Sequence, residues 1–190
     1  MVAVGALGAV ISGLAPGPAL GEERANGWLR QLRVTPLHPG AAIGAKIAVA
    51  MSFALPSIAL VVGAASVTPG TALGWTQVVE MVGLMWIATI PLTALATLIG
   101  LAFTAEVAQS VTTLMFIVLW LLGGIFTEPS NMPGMLATVA RTLPSYAIIQ
   151  AGWSAASGTA LPASALAVTV AWTVGAGGLA AIAWRRVVTR

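Results

Sequence analysis

The chain contains no cysteine and no aspartate, and among its 190 residues it has one lysine (Lys46), one histidine (His38) and one tyrosine (Tyr146). Without cysteine there are no disulfides, iron–sulfur clusters or thiolate zinc sites. A His-rich metal centre, a Ser-His-Asp triad or an Asp-based magnesium site has nothing to be built from. Charge is scarce as well. Charged residues make up 7% of the sequence, against about 25% in an ordinary soluble domain.

What is present is apolar: 58% of residues are hydrophobic and the mean hydropathy is +0.98. Thirteen charged side chains do not suffice for the polar shell of a water-soluble domain of this size. The composition is that of an integral membrane protein. The pI near 10.7 rests on only eight basic residues, whose placement reads as membrane topology and not as a nucleic-acid surface. The preference for Arg over Lys, amid abundant Ala, Gly and Val, points to a GC-rich bacterial genome.

A helix crosses the hydrocarbon core with about 20 mostly apolar residues. Five stretches meet that length, at 1–20, 45–66, 77–105, 108–126 and 161–184. The runs are long and unbroken, without the alternation of a transmembrane β-strand, so the fold class is an all-α polytopic bundle over 1–190. The first run opens Met-Val-Ala-Val, has no basic segment before it and exceeds a leader's apolar core. It reads as a span and not as a cleaved leader, despite the small residues around Leu20.

Orientation follows from Lys and Arg near the span ends. Arg24, Arg30, Arg33 and Lys46 lie in or beside the 21–44 connection, and Arg185, Arg186 and Arg190 lie at the C-terminal end. Five spans put both regions on one side, the cytoplasm, together with the turn at 104–109; only Arg141 falls outside. The membrane implied is the bacterial inner, cytoplasmic membrane. Segment 127–159 is then external. Pro129, Pro133 and Pro144 divide it into apolar pieces at 131–141 and 145–158, lengths that suit re-entrant or interfacial helices capping the outer mouth of the bundle.

In the 21–44 connection, Ala25, Trp28, Leu29 and Leu32 share one helical face, with Asn26, Arg30 and Arg33 opposite. Glu22 and Glu23 at the start and Arg30 and Arg33 at the end suit the macrodipole. Thr35-Pro36 and Pro39-Gly40 then break the pattern. The expectation is an amphipathic helix lying along the inner membrane surface.

Other motifs are weaker. The stretch Gly40-Ala-Ala-Ile-Gly44-Ala-Lys46-Ile47 has the wrong glycine spacing for a P-loop and no hydroxyl after its lysine. It reads as the entry to the second span, with Lys46 snorkelling. His38, between two prolines, reads as a solvated turn residue. Glu80 and Glu106 flank the third span near its boundaries, within reach of water, so neither is placed for a proton relay. Pro56 and Pro91 fall mid-span and each frees a backbone carbonyl. Ala163, Ala167, Ala171 and Gly175 form a small-residue stripe suited to helix packing. Trp28, Trp75 and Trp184 read as interfacial anchors; Trp86, Trp120 and Trp172 are deeper, facing lipid, a neighbouring helix or an apolar ligand.

The run Glu23-Arg24-Ala-Asn-Gly27-Trp28-Leu29-Arg30-Gln-Leu32-Arg33-Val34-Thr35-Pro36-Leu37, followed by Lys46, resembles the signature of ABC-2 type permeases, the membrane subunits of ATP-driven exporters, daunorubicin-type exporters among them. The family form runs Glu-Arg, then Gly-Thr-Leu-Glu, then Leu-x-Val-Thr-Pro-Leu, then Gly-Lys or Gly-x-Lys. Gly123-Gly124-Ile125-Phe126, Met132-Pro133 and Leu143-Pro144 resemble the family's stretch at the end of its fifth helix and the short re-entrant helices after it. Trp28 stands where the family has Thr, and Arg30 where it has an acid. The family has six spans behind an amphipathic N-terminal helix, and this chain resembles the last five.

The resemblance implies a helix that couples to a cytoplasmic ABC ATPase subunit, with Glu22, Glu23, Arg24, Arg30, Arg33, Thr35, Pro36 and His38 as its contact residues and Glu106 at a second inner turn. It implies pairing with a second permease subunit, as homo- or heterodimer, and no cofactor on this chain, ATP and magnesium residing on the ATPase. An apolar or amphiphilic small molecule is the expected substrate, since the spans offer no midplane charge; the residues of its path are not assigned. An ion-coupled carrier or channel is the alternative, expecting midplane acids or two related halves with broken helices; a non-transporting membrane fragment is another. An intramembrane enzyme lacks a nucleophile–base set.

Overall fold

The computed structural model describes residues 2–27, 39–66, 73–124 and 133–189, and among these every regular element is α-helical. The helices are α1 (Val2–Leu14), α2 (Pro16–Ala25), α3 (Pro39–Ser66), α4 (Trp75–Ala88), α5 (Ile90–Ala102), α6 (Ala105–Leu122), α7 (Gly134–Thr142), α8 (Pro144–Ser157) and α9 (Ala163–Thr189). Among the described residues five segments are long and apolar enough to cross a membrane: Val2–Ala25, Gly44–Ala64, Trp75–Ala102, Ala105–Leu122 and Ala163–Arg185. The all-α, five-span expectation holds, with each boundary shifted by a few residues.

Two spans are jointed. The first breaks at Ala15, where Pro16 and Pro18 begin α2 without amide donors. The third breaks at Thr89, two residues before Pro91, and the chain tightens there: the Thr89 amide donates to Trp86 O at 3.1 Å and the Leu92 amide to Thr89 O at 3.0 Å. Pro56 lies inside a continuous α3. Five residues before it, the Met51 carbonyl accepts from the Trp86 indole N–H at 2.8 Å, bridging the second and third spans. Trp86 is thus a bridge between helices, a role its sequence position did not select.

The first span packs through glycine. Gly5, Gly13, Gly17 and Gly21, with Ala9, recur every four residues along one face. A Cβ on Gly13 would stand 2.7 Å from Thr89 Cγ2, one on Gly17 3.2 Å from Ala96 O, and one on Gly21 2.8 Å from Ala105 Cα. From the other side, a Cβ on Gly100 would lie 2.8 Å from Leu20 Cβ and close against Gly17 O. In lipid, apolar surface gains little from moving out of one hydrocarbon environment into another, so helices associate by close van der Waals approach, which small residues permit. The facing third span carries Thr89, Thr93 and Thr97, all buried. Each hydroxyl donates to the carbonyl four residues back, Thr89 to Met85 O, Thr93 to Thr89 O and Thr97 to Thr93 O, so all three are paired within their own helix or across its joint.

The small-residue stripe expected to pack on the last span does not do so: Ala163, Ala167, Ala171 and Gly175 are exposed. The buried side of α9 is a neighbouring row, Ala165, Ala176, Ala180 and Trp184. Every face of this helix is rich in small residues, so spacing alone did not select one.

The described part of segment 127–159 holds two helices, as its prolines indicate. α8 is buried through Ala147, Ile148, Ala151 and Ala155 and wedges between α1 and α4 at the end remote from the basic residues. A Cβ on Gly152 would stand 2.6 Å from Val2 Cγ1, which shows how closely it lies on α1. The Gln77 side chain accepts from the Gly74 amide at 2.9 Å and donates to Ala156 O at 3.2 Å, tying the start of α4 to the end of α8. Gly158 ends α8 at φ +65, the left-handed turn that glycine adopts without strain. α7 remains at the surface with Met135, Leu136 and Val139 exposed, and the Trp172 indole donates to Thr142 O at its end, 2.8 Å away.

Candidate functional site

The basic ends of the spans converge at one end of the bundle. There Leu20, Leu101, Ala180 and Trp184 form a second buried cluster with Ile47 and Leu98 beside it. Trp184 is therefore a packing residue, only 3% exposed, and not the interfacial anchor its position suggested. Trp75, 82% exposed at the first turn of α4, fits that role. Trp120 stacks on Phe116 with ring centroids 6.0 Å apart. Trp28 lies outside the described residues.

The first span reaches this cluster because α2 carries it past Leu20 to Ala25, and it stops at Asn26 and Gly27. The Asn26 amide donates to Glu22 O at 2.9 Å and the Gly27 amide to Arg24 O at 3.1 Å. Gly27 has φ +74, a conformation that side-chain-bearing residues rarely adopt. This corrects the expectation that Glu22 and Glu23 start the surface helix. They occupy the last turn of the first span, at the carbonyl end of α2, where the macrodipole does not favour an acid. The apolar run of the first span looked complete at Leu20, but the Pro16 joint divides it and the helix needs a further turn to reach the boundary.

Partners explain why an acid is tolerated there. The Glu23 carboxylate forms an ion pair with Lys46 Nζ, two turns into α3. The side chains are 33% and 29% exposed, so the pair sits at the edge of the bundle and not in its core. Lys46 is thus paired, where its sequence position suggested only snorkelling. Gly40 to Lys46 lie within helix α3 and form no phosphate loop. The next residue, Arg24, turns the other way: its Nη1 donates to Leu101 O and, at 3.2 Å, to Phe103 O. Those carbonyls end α5 and would otherwise lack partners; a guanidinium suits the negative end of that helix dipole. Glu106 lies exposed in the first turn of α6, where the dipole favours an acid. Glu22 is exposed beside these contacts, and Glu80 is exposed near the start of α4.

Of the residues expected to contact an ATPase, then, Glu22, Glu23, Arg24 and Glu106 gather at one end of the bundle, and Glu23 and Arg24 are turned inward onto α3 and α5. Arg30, Arg33, Thr35, Pro36 and His38 lie outside the described residues, as do Leu29 and Leu32. Residues 28–38 join the end of α2 to the start of α3, so both roots of that segment are anchored here.

Grooves open along the bundle, and two of them border the first span. One, of about 530 Å³, runs between the first span and α3 past Ser12, Ala19, Val49, Phe53 and Leu60, with Glu23 and Lys46 at its basic end. The other, of about 410 Å³, lies between the first span and α6 and is lined by Ile11, Leu14, Pro18, Gln109, Thr112, Thr113 and Phe116. Thr112 Oγ1 is buried there without a hydrogen-bond partner. Sequence reasoning singled out neither groove, nor Thr112. It also passed over the glycine row of the first span, although its four-residue spacing was visible.

The chain matches the family model described as ABC-2 type transporter over residues 4–182. A protein of Bacillus subtilis (strain 168) named "Putative transport permease YvfS" is 28% identical over 139 residues, 72% of this chain and 56% of that protein. The chain thus spans little more than half the length of that curated relative. No solved structure matches it. With a bundle of five apolar spans and a family match across nearly all of its residues, this multi-pass chain belongs to the ABC-2 type transporter family.

Proposed function

We propose that the chain is the permease subunit of an ATP-driven exporter of the cytoplasmic membrane and that residues 21–44 receive the stroke of a separate cytoplasmic ATPase subunit. The observation that carries this reading is the anchoring of both roots of the 28–38 segment at the basic end of the bundle, through Glu23–Lys46 and Arg24. The positive-inside rule puts that end in the cytoplasm. A push delivered there reaches α2, α3 and α5 together, and the joints at Ala15 and Thr89 let the basic halves of two spans swing against the remote halves. The described acids, Glu22, Glu23, Glu80 and Glu106, all lie near span ends, which favours ATP drive over ion coupling.

A second copy of the subunit, or a related one, completes the path. Ala105–Leu122 and Ala163–Arg185 are each only 17% buried, leaving two whole faces for lipid and partner. The groove between the first span and α6, lined by Ile11, Leu14, Pro18 and Phe116, is the entry for an apolar or amphiphilic small molecule. The test is reconstitution in vesicles. The chain alone is expected to show no saturable ATP binding, since Lys46 and its glycines lie in a helix. With its ATPase subunit it is expected to drive ATP-dependent movement of an apolar dye. Saturable ATP binding by the chain alone, or dye movement without ATP, contradicts the reading.

A further inference from the structure

Glu23 and Arg24 are adjacent in sequence, about 100° apart around α2, and are committed to different neighbours. Glu23 holds α3 through Lys46, and Arg24 holds the last carbonyls of α5 and of the turn into α6. Gly21, one turn earlier, lies against the backbone of Ala105 at the head of α6. Four helices therefore meet within one turn of α2. The Glu23–Lys46 pair also ties together two points 23 residues apart in the chain, on either side of residues 28–38 in the sequence.

We infer that Glu23, Arg24 and Lys46 are positioning residues of transport: they form a staple that makes the 21–44 segment move with α3, α5 and α6 as one body, and they do not form part of the surface that binds the ATPase. The inference rests on the coupling role proposed for that segment. With the staple intact, a displacement of the segment is carried into the bundle. With it broken, the segment moves on loose roots, ATP is hydrolysed and little substrate moves. The quantity that reports the staple is thus substrate exported per ATP hydrolysed, measured with the ATPase subunit still bound.

The experiment uses the permease–ATPase complex in vesicles, with an apolar dye as substrate. Glu23→Gln and Lys46→Gln are each expected to retain the co-purifying ATPase and to lower dye exported per ATP by about tenfold, within the span of ordinary coupling factors. The charge swap Glu23→Lys with Lys46→Glu is expected to recover it to within about threefold, the signature of a pairwise interaction. Arg24→Met is expected to show the same loss and Arg24→Lys a smaller one. Because the chain has no cysteine, Glu23→Cys with Lys46→Cys provides a second measurement: uncoupled when free, coupled when bridged by a short bis-thiosulfonate.

Normal export per ATP by Glu23→Gln overturns the inference. So does loss of export on bridging the cysteine pair, which would make the contact one that must open. Failure of both the swap and the bridge to restore coupling overturns it too. A parallel variant, Arg30→Glu with Arg33→Glu, separates this outcome from failure of the underlying reading: if it keeps both ATPase and export, the segment is not the coupling element at all.

Discussion

Gly100 shows what a single methyl group decides in this bundle. Its missing Cβ leaves room for Gly17 O and Leu20 Cβ, both parts of the first span that have little freedom to retreat. Gly100→Ala therefore forces α2 and α5 apart, an overpacking that costs about 1–3 kcal/mol. Gly178, on α9, has nothing within 4 Å of the same position, so Gly178→Ala is expected to leave stability unchanged or raise it by about 0.5–1 kcal/mol, as alanine does in a helix interior. Thermal unfolding of the two variants in detergent checks the opposite signs. Trp86→Phe removes the donor to Met51 O and is expected to cost about 0.5–1.5 kcal/mol in the same assay. Neither the two glycines nor the choice of partner for Trp86 could be read from the sequence, for a physical reason. In water, a buried face stands out because its neighbours are polar, whereas in a membrane both the packed and the lipid-facing sides are apolar. Thus the exposed stripe from Ala163 to Gly175 and the packed row of Ala165, Ala176 and Ala180 read alike.

At the scale of helices, more was legible. Span number, length and order follow from the requirement that backbone polar groups be satisfied within a helix, which any chain crossing lipid must meet. Pro91 marked the joint in the third span, and Pro133 and Pro144 marked the starts of α7 and α8. The end of the first span was misplaced because its last turn carries Glu22, Glu23 and Arg24 and is nonetheless helical: the Glu23 charge is paired with Lys46 and the Arg24 guanidinium donates to Leu101 O, partners 23 and 77 residues away in the chain. Burial of α8 was hidden for the same reason, since its partners Val2 and Gln77 are also far away in sequence. The described helices put Leu20 and Ile47 at the same end of the bundle as Trp184, and Gly152 of α8 against Val2 at the other. Single-cysteine variants should report this directly: position 130 labelled by an impermeant thiol reagent in intact cells, and position 31 labelled only after permeabilisation. The reverse pattern would invert the orientation.

For the molecule as a whole, the account divides labour: a bundle that moves, and a partner that supplies ATP. Its central claim is that the basic face of the 28–38 segment docks the ATPase, while Trp28, Leu29 and Leu32 hold the segment to the membrane and Glu23 and Arg24 root it. The most direct test reverses the basic face with Arg30→Glu and Arg33→Glu and follows three readouts together: monodisperse elution of the permease, co-purification of the ATPase, and export. The account predicts a folded permease that loses its partner, because leaving one side of a desolvated interfacial charge pair unmatched costs about 2–5 kcal/mol, and export falls with it. A folded double variant that still holds the ATPase and exports at the parental rate would contradict the claim.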